Sequence, residues 1–194
     1  MLTTEDFKKY IEVLSNGKYL SYDEGKSAFE YIMTGNATDI LISSFLTSLK
    51  IIFINSGISH DLIAAGADIM REKAIKIKAS DDTIDIVGTG GDGHNTLNIS
   101  TATALVISGT GIKVAKHGNY SASSMSGSAD VLISLGINIK NDISNVQKCL
   151  DECGICFLFA PKHHSAMKHV MNVRKELHFS CLLYTSDAAD DLTR

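Results

Sequence analysis

The sequence predicts an α/β fold in which a small N-terminal helical domain precedes a parallel-sheet α/β domain. Apolar residues up to about residue 78 recur at helical spacing. From Thr83 onward, short apolar runs alternate with helical segments, which is typical of βαβ units and a parallel sheet. Hydrophobic residues make up 44% and charged residues 21% of the 194 residues, a composition typical of soluble globular proteins.

Capping signals divide residues 1–78 into helices. Ser21 and Glu24 have the spacing of a capping box, and Gly35 marks the end of the helix that follows. Ser59 is the predicted cap of a fourth helix. Between them, five apolar residues recur at helical spacing: Ile40, Leu41, Phe45, Leu46 and Leu49. We therefore expect residues 1–78 to form a helical domain.

The second predicted domain, residues 79–178, alternates strands with helices. Strands are predicted at residues 84–87, 113–115 and 155–159. Helices are predicted at residues 99–107, 125–135, 142–153 and 163–177. Gly136 closes the second of these helices, and Asp142 caps the third. This order predicts a parallel sheet, which is incomplete in the present chain.

The segment 179–194 does not continue the α/β pattern. Its central letters, CLLYTSDAADD, resemble the translated read-through of a sequencing adapter from about Cys181. We expect residues 179–194 to be a non-native tail and exclude them from the fold prediction. A genuine acidic tail is the alternative.

Charge and hydropathy exclude several functional classes. The net charge of −4 comes from interspersed acidic and basic residues, which is unlike a nucleic-acid-binding surface. There is no run of about 18 apolar residues, and the polar N-terminus lacks the features of a secretory signal. We expect a cytoplasmic protein that binds neither nucleic acid nor membrane.

Three cysteines lie close together in the sequence. Cys149, Cys153 and Cys156 precede the pair His163 and His164, so a metal site is one interpretation. The favoured interpretation is that they are small buried thiols, because they fall on a predicted helix and at the start of an apolar strand.

The glycine-rich segment GTGGDG, residues 88–93, follows a predicted strand and precedes a helix. Glycine amides beside a helix N-terminus can bind a phosphate group. The residues Asn98 to Thr101 at the start of that helix add hydroxyl and amide groups. The segment is neither a Walker loop nor a Rossmann fingerprint. A purely structural turn is the alternative.

Two further polar segments follow the next predicted strand. Lys116, His117, Gly118 and Asn119 come directly after residues 113–115, where open α/β sheets bind ligands. A serine-rich segment then leads into a helix, with Ser121, Ser123, Ser124, Ser126, Gly127 and Ser128. Either segment alone is compatible with a solvated turn. Three such segments in one sheet favour a phosphorylated ligand.

In order and spacing, the segments GTGGDGHNTLNIST, VAKHGN and SSMSGSADVL closely resemble the signatures of the anthranilate phosphoribosyltransferase family. The resemblance extends through IMTGNATD, MREKA, FLFAPKHHSAMKHV and VRKEL, and covers residues 3–178. It implies a helical domain and an α/β domain of the nucleoside phosphorylase/phosphoribosyltransferase II type. It also implies a Mg²⁺-dependent homodimer that transfers phosphoribosyl from phosphoribosyl pyrophosphate to anthranilate in tryptophan biosynthesis.

The resemblance assigns roles to individual residues. Gly88, Asn119 and Arg174 match anthranilate-binding positions, and Ser100 matches a Mg²⁺-binding position. His117 is the candidate for proton transfer, with positioning of the substrate as the alternative. The positions that match the donor-binding residues are Gly88, Gly91, Asp92, Thr96, Asn98, Ile99, Ser100, Thr101, Lys116, His117, Gly118, Asn119, Ser124 and Ser128.

The chain departs from the family pattern in two respects. Tyr120 and Met125 stand where family members often carry basic residues. The acidic pair that binds Mg²⁺ in the family lies beyond Glu176 and is absent here, and Asp190 and Asp191 belong to the suspect tail. We therefore expect the chain alone to lack full activity.

Three other functions are compatible with parts of the sequence. A pyrimidine nucleoside phosphorylase shares the expected fold. A non-catalytic relative would bind another ligand in the same segments. A helical partner-binding module would use the first domain as its interface, but would leave the phosphate-binding segments unexplained.

Overall fold

The computed structural model of the protein describes residues 2–87, 97–121 and 127–177. The chain forms two compact units. The described part of the first unit comprises residues 2–74 and 166–177, and that of the second lies within residues 75–165.

The first unit is a helical bundle that contains α1 (Thr4–Ser15), α2 (Tyr22–Met33), α3 (Asp39–Ser56), α4 (His60–Lys73) and α9 (Met171–Leu177). A hydroxyl side chain caps each of the first four helices, and each hydroxyl accepts the backbone N–H of the residue three positions later. The capping residues are Thr3, Ser21, Thr38 and Ser59. The capping box of Ser21 and Glu24 is present, and Gly35 has a φ of 78° after the end of α2. The predicted helical domain is thereby confirmed.

Aromatic side chains form the centre of this bundle. Phe7 is fully buried and stacks on Tyr31, with ring centroids 5.1 Å apart. Phe45 lies 5.4 Å from Phe7 and meets Phe29 edge-on at 5.7 Å. Burial of each such ring contributes about 1.5–3 kcal/mol to folding.

Helix α3 is apolar on two faces. Its buried face contributes Ile42, Phe45, Leu46, Leu49 and Ile52 to the bundle core. Ile40, Ile51 and Ile54 lie on the opposite face and are exposed, with Ile51 and Ile54 one turn apart. Because both faces are apolar, α3 is long and apolar enough, by length and composition only, to cross a membrane; the core helix of a soluble bundle meets the same test.

The second unit contains two parallel strands, β1 (Val114–Gly118) and β2 (Ile155–Phe159), which pair in register from Val114 with Ile155 to Gly118 with Phe159. Its helices are α5 (Ile99–Gly109), α6 (Ser128–Ser134), α7 (Ile143–Cys153) and α8 (Ala160–His163). Since parallel strands need a crossover, α6 and α7 carry the chain from β1 back to β2. Gly154, with a φ of 73°, joins α7 to β2.

The predicted strand at residues 84–87 is wrong. Only an isolated bridge pairs Ile84 with Val114. Beyond it, the Asp85 carboxylate accepts the His117 N–H at 3.1 Å, and the Ile86 carbonyl accepts the Lys116 ammonium at 2.6 Å. The His117 N–H and the Ile86 carbonyl are thus bonded to side chains, so the strand pairing of residues 84–87 with β1 does not continue beyond Ile84.

Two other element boundaries and one helix cap differ from the sequence prediction. Strand β1 extends to Gly118, because β2 pairs with it through Phe159. Helix α6 begins at Ser128, and Met125 lies outside the described residues. Asp142 occupies the cap position of α7, but its side chain makes no capping hydrogen bond.

The predicted helix at residues 163–177 is divided into α8, a 3-10 helix (Ser165–His169) and α9. Val170 and Val173 are buried in the core of the helical bundle, whereas His164 is buried in the second unit. Because the two ends of the segment are buried in different units, it does not form one continuous helix, and residues 166–177 group with the helical bundle.

Candidate functional site

The predicted ligand-binding residues Lys116, His117 and Gly118 lie within β1, at its carboxyl end. They pair with Phe157, Leu158 and Phe159 of β2. The sequence placed them after the strand, and the extension of β1 corrects that placement. The strand fixes their backbone, so alternate side chains project to opposite faces of the sheet.

Lys116 is almost completely buried, with 3% of its surface exposed. Its ammonium donates to the Ile86 carbonyl at 2.6 Å and to the Ser100 hydroxyl at 3.4 Å. Burial lowers the pKa of Lys116, and the nearby Asp85 carboxylate opposes that shift. An ammonium has three N–H groups, so the contacts to Ile86 and Ser100 leave it capacity for an anionic ligand.

The N-terminus of α5 brings a second group of predicted residues to Lys116. Asn98 caps this helix, its side chain accepting the Thr101 N–H at 3.3 Å. Ser100 follows in the first turn and contacts Lys116, whereas the Ile99 side chain is exposed. The predicted neighbours Asn98, Ser100 and Lys116 therefore converge in the folded unit.

The Thr101 hydroxyl is buried and has no hydrogen-bond partner among residues 2–87, 97–121 and 127–177. Thr101 and Lys116 line the same cavity of about 120 Å³, together with Leu132, Ile155 and Phe157. A buried hydroxyl that lacks a protein partner is costly unless water or a ligand satisfies it.

Three imidazoles cluster at the carboxyl end of β1. The His117 ring lies 5.2 Å from that of His164 and 5.9 Å from that of His163, between ring centroids. Burial is the largest cause that lowers the pKa of His117 to about 3 and that of His164 to about 4. Burial also lowers the pKa of His163. All three imidazoles are therefore neutral at pH 7.

The sequence did not reveal this histidine cluster as part of the site. The sequence indicates His163 and His164 only as possible metal ligands, together with the nearby cysteines. Among the residues that the structure describes, no group of three or more His, Cys, Asp or Glu side chains has an arrangement that could hold a metal ion. Cys156 is buried, as expected for a structural thiol, but Cys149 is half-buried and Cys153 is exposed.

Gly118 allows a close approach between β1 and its neighbours. A Cβ at this position would overlap the Ser128 hydroxyl and would lie 2.7 Å from the Phe157 ring. Asn119 follows, and its carbonyl accepts the Ala129 N–H at 3.1 Å and the Ser128 hydroxyl at 3.4 Å. The predicted residues Gly118, Asn119 and Ser128 are therefore neighbours.

Tyr120 occupies a position that is often basic in the resembled family. Its ring packs edge-on against Phe159, with centroids 5.3 Å apart and an interplanar angle of 87°. An aromatic pair of this geometry is favourable and adds no positive charge to the site. Where family members often carry a basic side chain, Tyr120 therefore makes a packing contact at the end of β2.

The remaining predicted residues cannot be placed in this group. Arg174 is half-buried on α9 of the helical bundle. Five predicted donor-binding residues lie outside the described residues, namely Gly88, Gly91, Asp92, Thr96 and Ser124.

The described residues do not by themselves fit a Mg²⁺ site. Mg²⁺ in proteins is usually held by carboxylates, phosphates and water in octahedral geometry. Ser100 supplies one hydroxyl oxygen, and the Lys116 ammonium lies 3.4 Å from it. No group of three candidate ligands occurs elsewhere in the described ranges.

Comparisons with known proteins match both units. Residues 8–74 match the family described as "Glycosyl transferase family, helical bundle domain", and residues 80–183 match its "a/b domain". An anthranilate phosphoribosyltransferase from Bacillus caldotenax is 47% identical over 172 residues, which cover 89% of this chain and 69% of the relative. The chain belongs to the anthranilate phosphoribosyltransferase family. The resemblance inferred from the sequence motifs is thereby confirmed.

Other relatives are matched over a smaller share of their length. The enzyme from Rhodospirillum rubrum is 50% identical over 175 residues, which cover 90% of this chain and 49% of the relative. The chain thus spans about half the length of most curated relatives that it matches.

Solved structures of the family share the fold. Anthranilate phosphoribosyltransferase from Thermus thermophilus superposes with a TM-score of 0.84 at 35% identity, covering 94% of this chain and 54% of that protein. The Saccharomyces cerevisiae enzyme in complex with PRPP and Mg gives a TM-score of 0.83 at 30% identity, with the same coverage. The predicted fold class is therefore confirmed.

Proposed function

We propose that the protein carrying this chain transfers the phosphoribosyl group of phosphoribosyl pyrophosphate to the amine of anthranilate, which yields N-(5-phosphoribosyl)anthranilate and pyrophosphate. The observation that carries the proposal is the convergence of a buried lysine, Lys116, with Ser100 at the start of α5. A buried cation beside a helix N-terminus is suited to a phosphorylated ligand. The yeast relative's complex with PRPP and Mg supports the choice of donor.

The charges of this arrangement match the reaction. Breaking the bond between ribose C1 and pyrophosphate leaves negative charge on the departing group. The Lys116 ammonium, which is buried and held in place by the Ile86 carbonyl, would stabilise that charge. The anthranilate amine is a neutral nucleophile, so its orientation against C1 contributes more than a strong base.

The environment of His117 favours a positioning role over proton transfer. An efficient general base has a pKa near the working pH, whereas burial lowers the pKa of His117 to about 3. A neutral imidazole can still donate one hydrogen bond and accept another. We therefore assign His117 to orientation of the acceptor or of the adjacent backbone.

Asn119 and Arg174 are the proposed anthranilate-binding residues. The guanidinium of Arg174 can pair with a carboxylate through two parallel hydrogen bonds. A relative from yeast has been solved in complex with 4-fluoroanthranilate, which carries such a carboxylate. Asn119 is held at the end of β1 by the bonds from Ala129 and Ser128 to its carbonyl.

We further propose Mg²⁺ as the cofactor, because the yeast relative is solved with PRPP and Mg. Ser100 is the ligand that the described residues offer, and carboxylates would have to supply the rest.

A homodimer is proposed from the exposed face of α3. Ile40, Ile51 and Ile54 present three large apolar side chains to solvent, with exposures of 78%, 54% and 72%. Large exposed apolar side chains that share one helix face are a feature of protein–protein interfaces. Analytical ultracentrifugation of the wild type and of Ile51→Glu/Ile54→Glu tests this proposal, and equal sedimentation of both as monomers would contradict it. We also propose a cytoplasmic location for this biosynthetic function.

The test of the proposed function begins with long-read sequencing of the gene past the codon for His178. This determines whether residues 179–194 are native. The encoded protein is then incubated with Mg²⁺, phosphoribosyl pyrophosphate and anthranilate, and the fluorescence of anthranilate is followed while pyrophosphate is quantified. Equimolar loss of anthranilate and release of pyrophosphate are expected. Phosphorolysis of thymidine without anthranilate turnover would instead support a nucleoside phosphorylase, and absence of donor binding by calorimetry would support a non-catalytic relative.

A further inference from the structure

Asp130 connects two backbone segments that flank residues 122–126. One oxygen of its carboxylate, Oδ2, accepts the Ser121 N–H at 3.1 Å and the Gly127 N–H at 2.8 Å. Both bonds are partly buried, and both are charge-assisted, which makes them stronger than bonds between neutral groups. Residues six positions apart in the chain are thus held at a single oxygen atom.

The two segments are also in direct contact. A Cβ on Gly127 would lie 2.5 Å from the Tyr120 carbonyl carbon and 2.6 Å from the Asn119 oxygen, so only glycine fits there. The Asn119 carbonyl accepts the Ala129 N–H at 3.1 Å. Asp130 therefore belongs to a closed set of bonds that joins the end of β1 to the start of α6.

The direction of these bonds changes the interpretation of the serine-rich segment. The amides of Ser121 and Gly127 donate to Asp130, so they are not directed at a bound anion. A carboxylate would also repel the phosphates of the proposed donor if it contacted them. These two facts favour a role for Asp130 in holding the backbone rather than in contacting the ligand.

We propose that Asp130 is a positioning residue, whose carboxylate holds Asn119 and Ser128 in the arrangement that binds the two substrates. The inference rests on the function proposed above. Asn119 belongs to the segment that contains Ser121, and Ser128 belongs to the segment that contains Gly127. The Ser128 hydroxyl donates to the Asn119 carbonyl at 3.4 Å, so the two residues are also bonded to each other. Loss of the carboxylate would therefore displace both residues together.

The test compares Asp130→Ala with Asp130→Asn in the encoded protein. The amide oxygen of asparagine can accept both N–H groups, whereas alanine accepts neither. Asp142→Ala is the matched control, because Asp142 also lies at the start of a helix in the same unit, makes no capping bond and has a side chain that is 85% exposed. Initial rates are measured with each substrate varied in turn, and folding is checked by circular dichroism.

A misplacement of about 1 Å at a reacting centre can cost on the order of a hundredfold in rate. We expect Asp130→Ala to lose about tenfold to a hundredfold in kcat/KM for both substrates. Asp130→Asn should stay within about threefold of the wild type, because both accepted bonds are retained. Asp142→Ala should leave the kinetics unchanged.

Two results would overturn the inference in an active wild-type enzyme. Unchanged kinetics in a folded Asp130→Ala variant would show that the bonds do not position the substrates. An Asp130→Asn variant that is as impaired as Asp130→Ala would show that the charge itself contacts a ligand or metal. If Asp130→Ala does not fold, the kinetics of Asp130→Asn provide the test. A kcat/KM within about threefold of the wild type supports the positioning role, and a larger loss contradicts it. An inactive wild type would instead refute the proposed function, and this inference with it.

Discussion

Substitution of Lys116 by methionine tests the central feature of the proposed site. Methionine has a similar length and no charge, so it can fill the same buried space. The variant loses the 2.6 Å bond to the Ile86 carbonyl and the contact with the Ser100 hydroxyl. It also removes the cation that would face the pyrophosphate of the donor.

The size of the effect follows from the type of bond that is lost. A hydrogen bond that involves a charged group contributes about 1.5–3 kcal/mol. Because 1.4 kcal/mol corresponds to about tenfold in affinity, Lys116→Met should weaken donor binding by about tenfold to a hundredfold. The effect on folding should be smaller, since the unpaired Ile86 carbonyl is offset by the removal of a buried charge, whose burial lowers the pKa of Lys116.

Isothermal titration calorimetry with phosphoribosyl pyrophosphate measures this affinity directly. Lys148→Met is the matched control, because Lys148 is an exposed lysine of the same unit that pairs with Glu152 at 3.9 Å on the surface of α7. The control should bind as the wild type does. A dissociation constant for Lys116→Met within about twofold of the wild type would refute the role of the cation in donor binding. The bond of Lys116 to the Ile86 carbonyl would then be purely structural.

Three further predictions address other parts of the protein. Arg174→Ala should raise the Michaelis constant for anthranilate far more than that for the donor in steady-state assays, and equal increases would remove the carboxylate assignment. The low pKa values of His117 and His164, about 3 and about 4, mean that the unfolded chain binds more protons below pH 6.5. The free energy of unfolding should therefore be independent of these two groups above about pH 6.5, and below it should fall by up to ~1.4 kcal/mol per pH unit for each imidazole. A urea unfolding midpoint that does not change between about pH 5 and pH 7 would contradict the burial of these rings. Gly118→Ala should displace the Ser128 hydroxyl and lower kcat/KM by about tenfold or more, with wild-type kinetics in a folded variant as the contrary result.

In the helical unit, local sequence signals correctly predicted the helix caps. Ser21 and Glu24 form the predicted capping box, and Ser59 caps α4 as expected. In each case the donor and the acceptor lie within four residues, so the sequence alone contains the whole interaction. The same holds for the glycines that end helices, because their positive φ is a property of one residue.

In the α/β unit, local sequence signals did not predict the contacts between residues that are distant in the chain. The sequence predicted a strand at residues 84–87, but Asp85 and Ile86 bond to His117 and Lys116, about 30 residues away. No local pattern reveals that a side chain will take the place of a ladder partner. The break in the predicted helix 163–177 has a similar cause, since its two ends are buried in different units.

The sequence by itself determined the family, most of the helices and the two strands β1 and β2, because motif spacing and helix caps are encoded in neighbouring residues. It also identified most of the residues of the candidate site. Only the tertiary structure placed Lys116 inside β1 beside Ser100, grouped His117 with His163 and His164, and directed the carboxylate of Asp130 at two backbone amides. These arrangements join residues that are distant in sequence, or depend on the direction of a single bond. They exist only once the parallel strands bring those residues together and exclude water from around them.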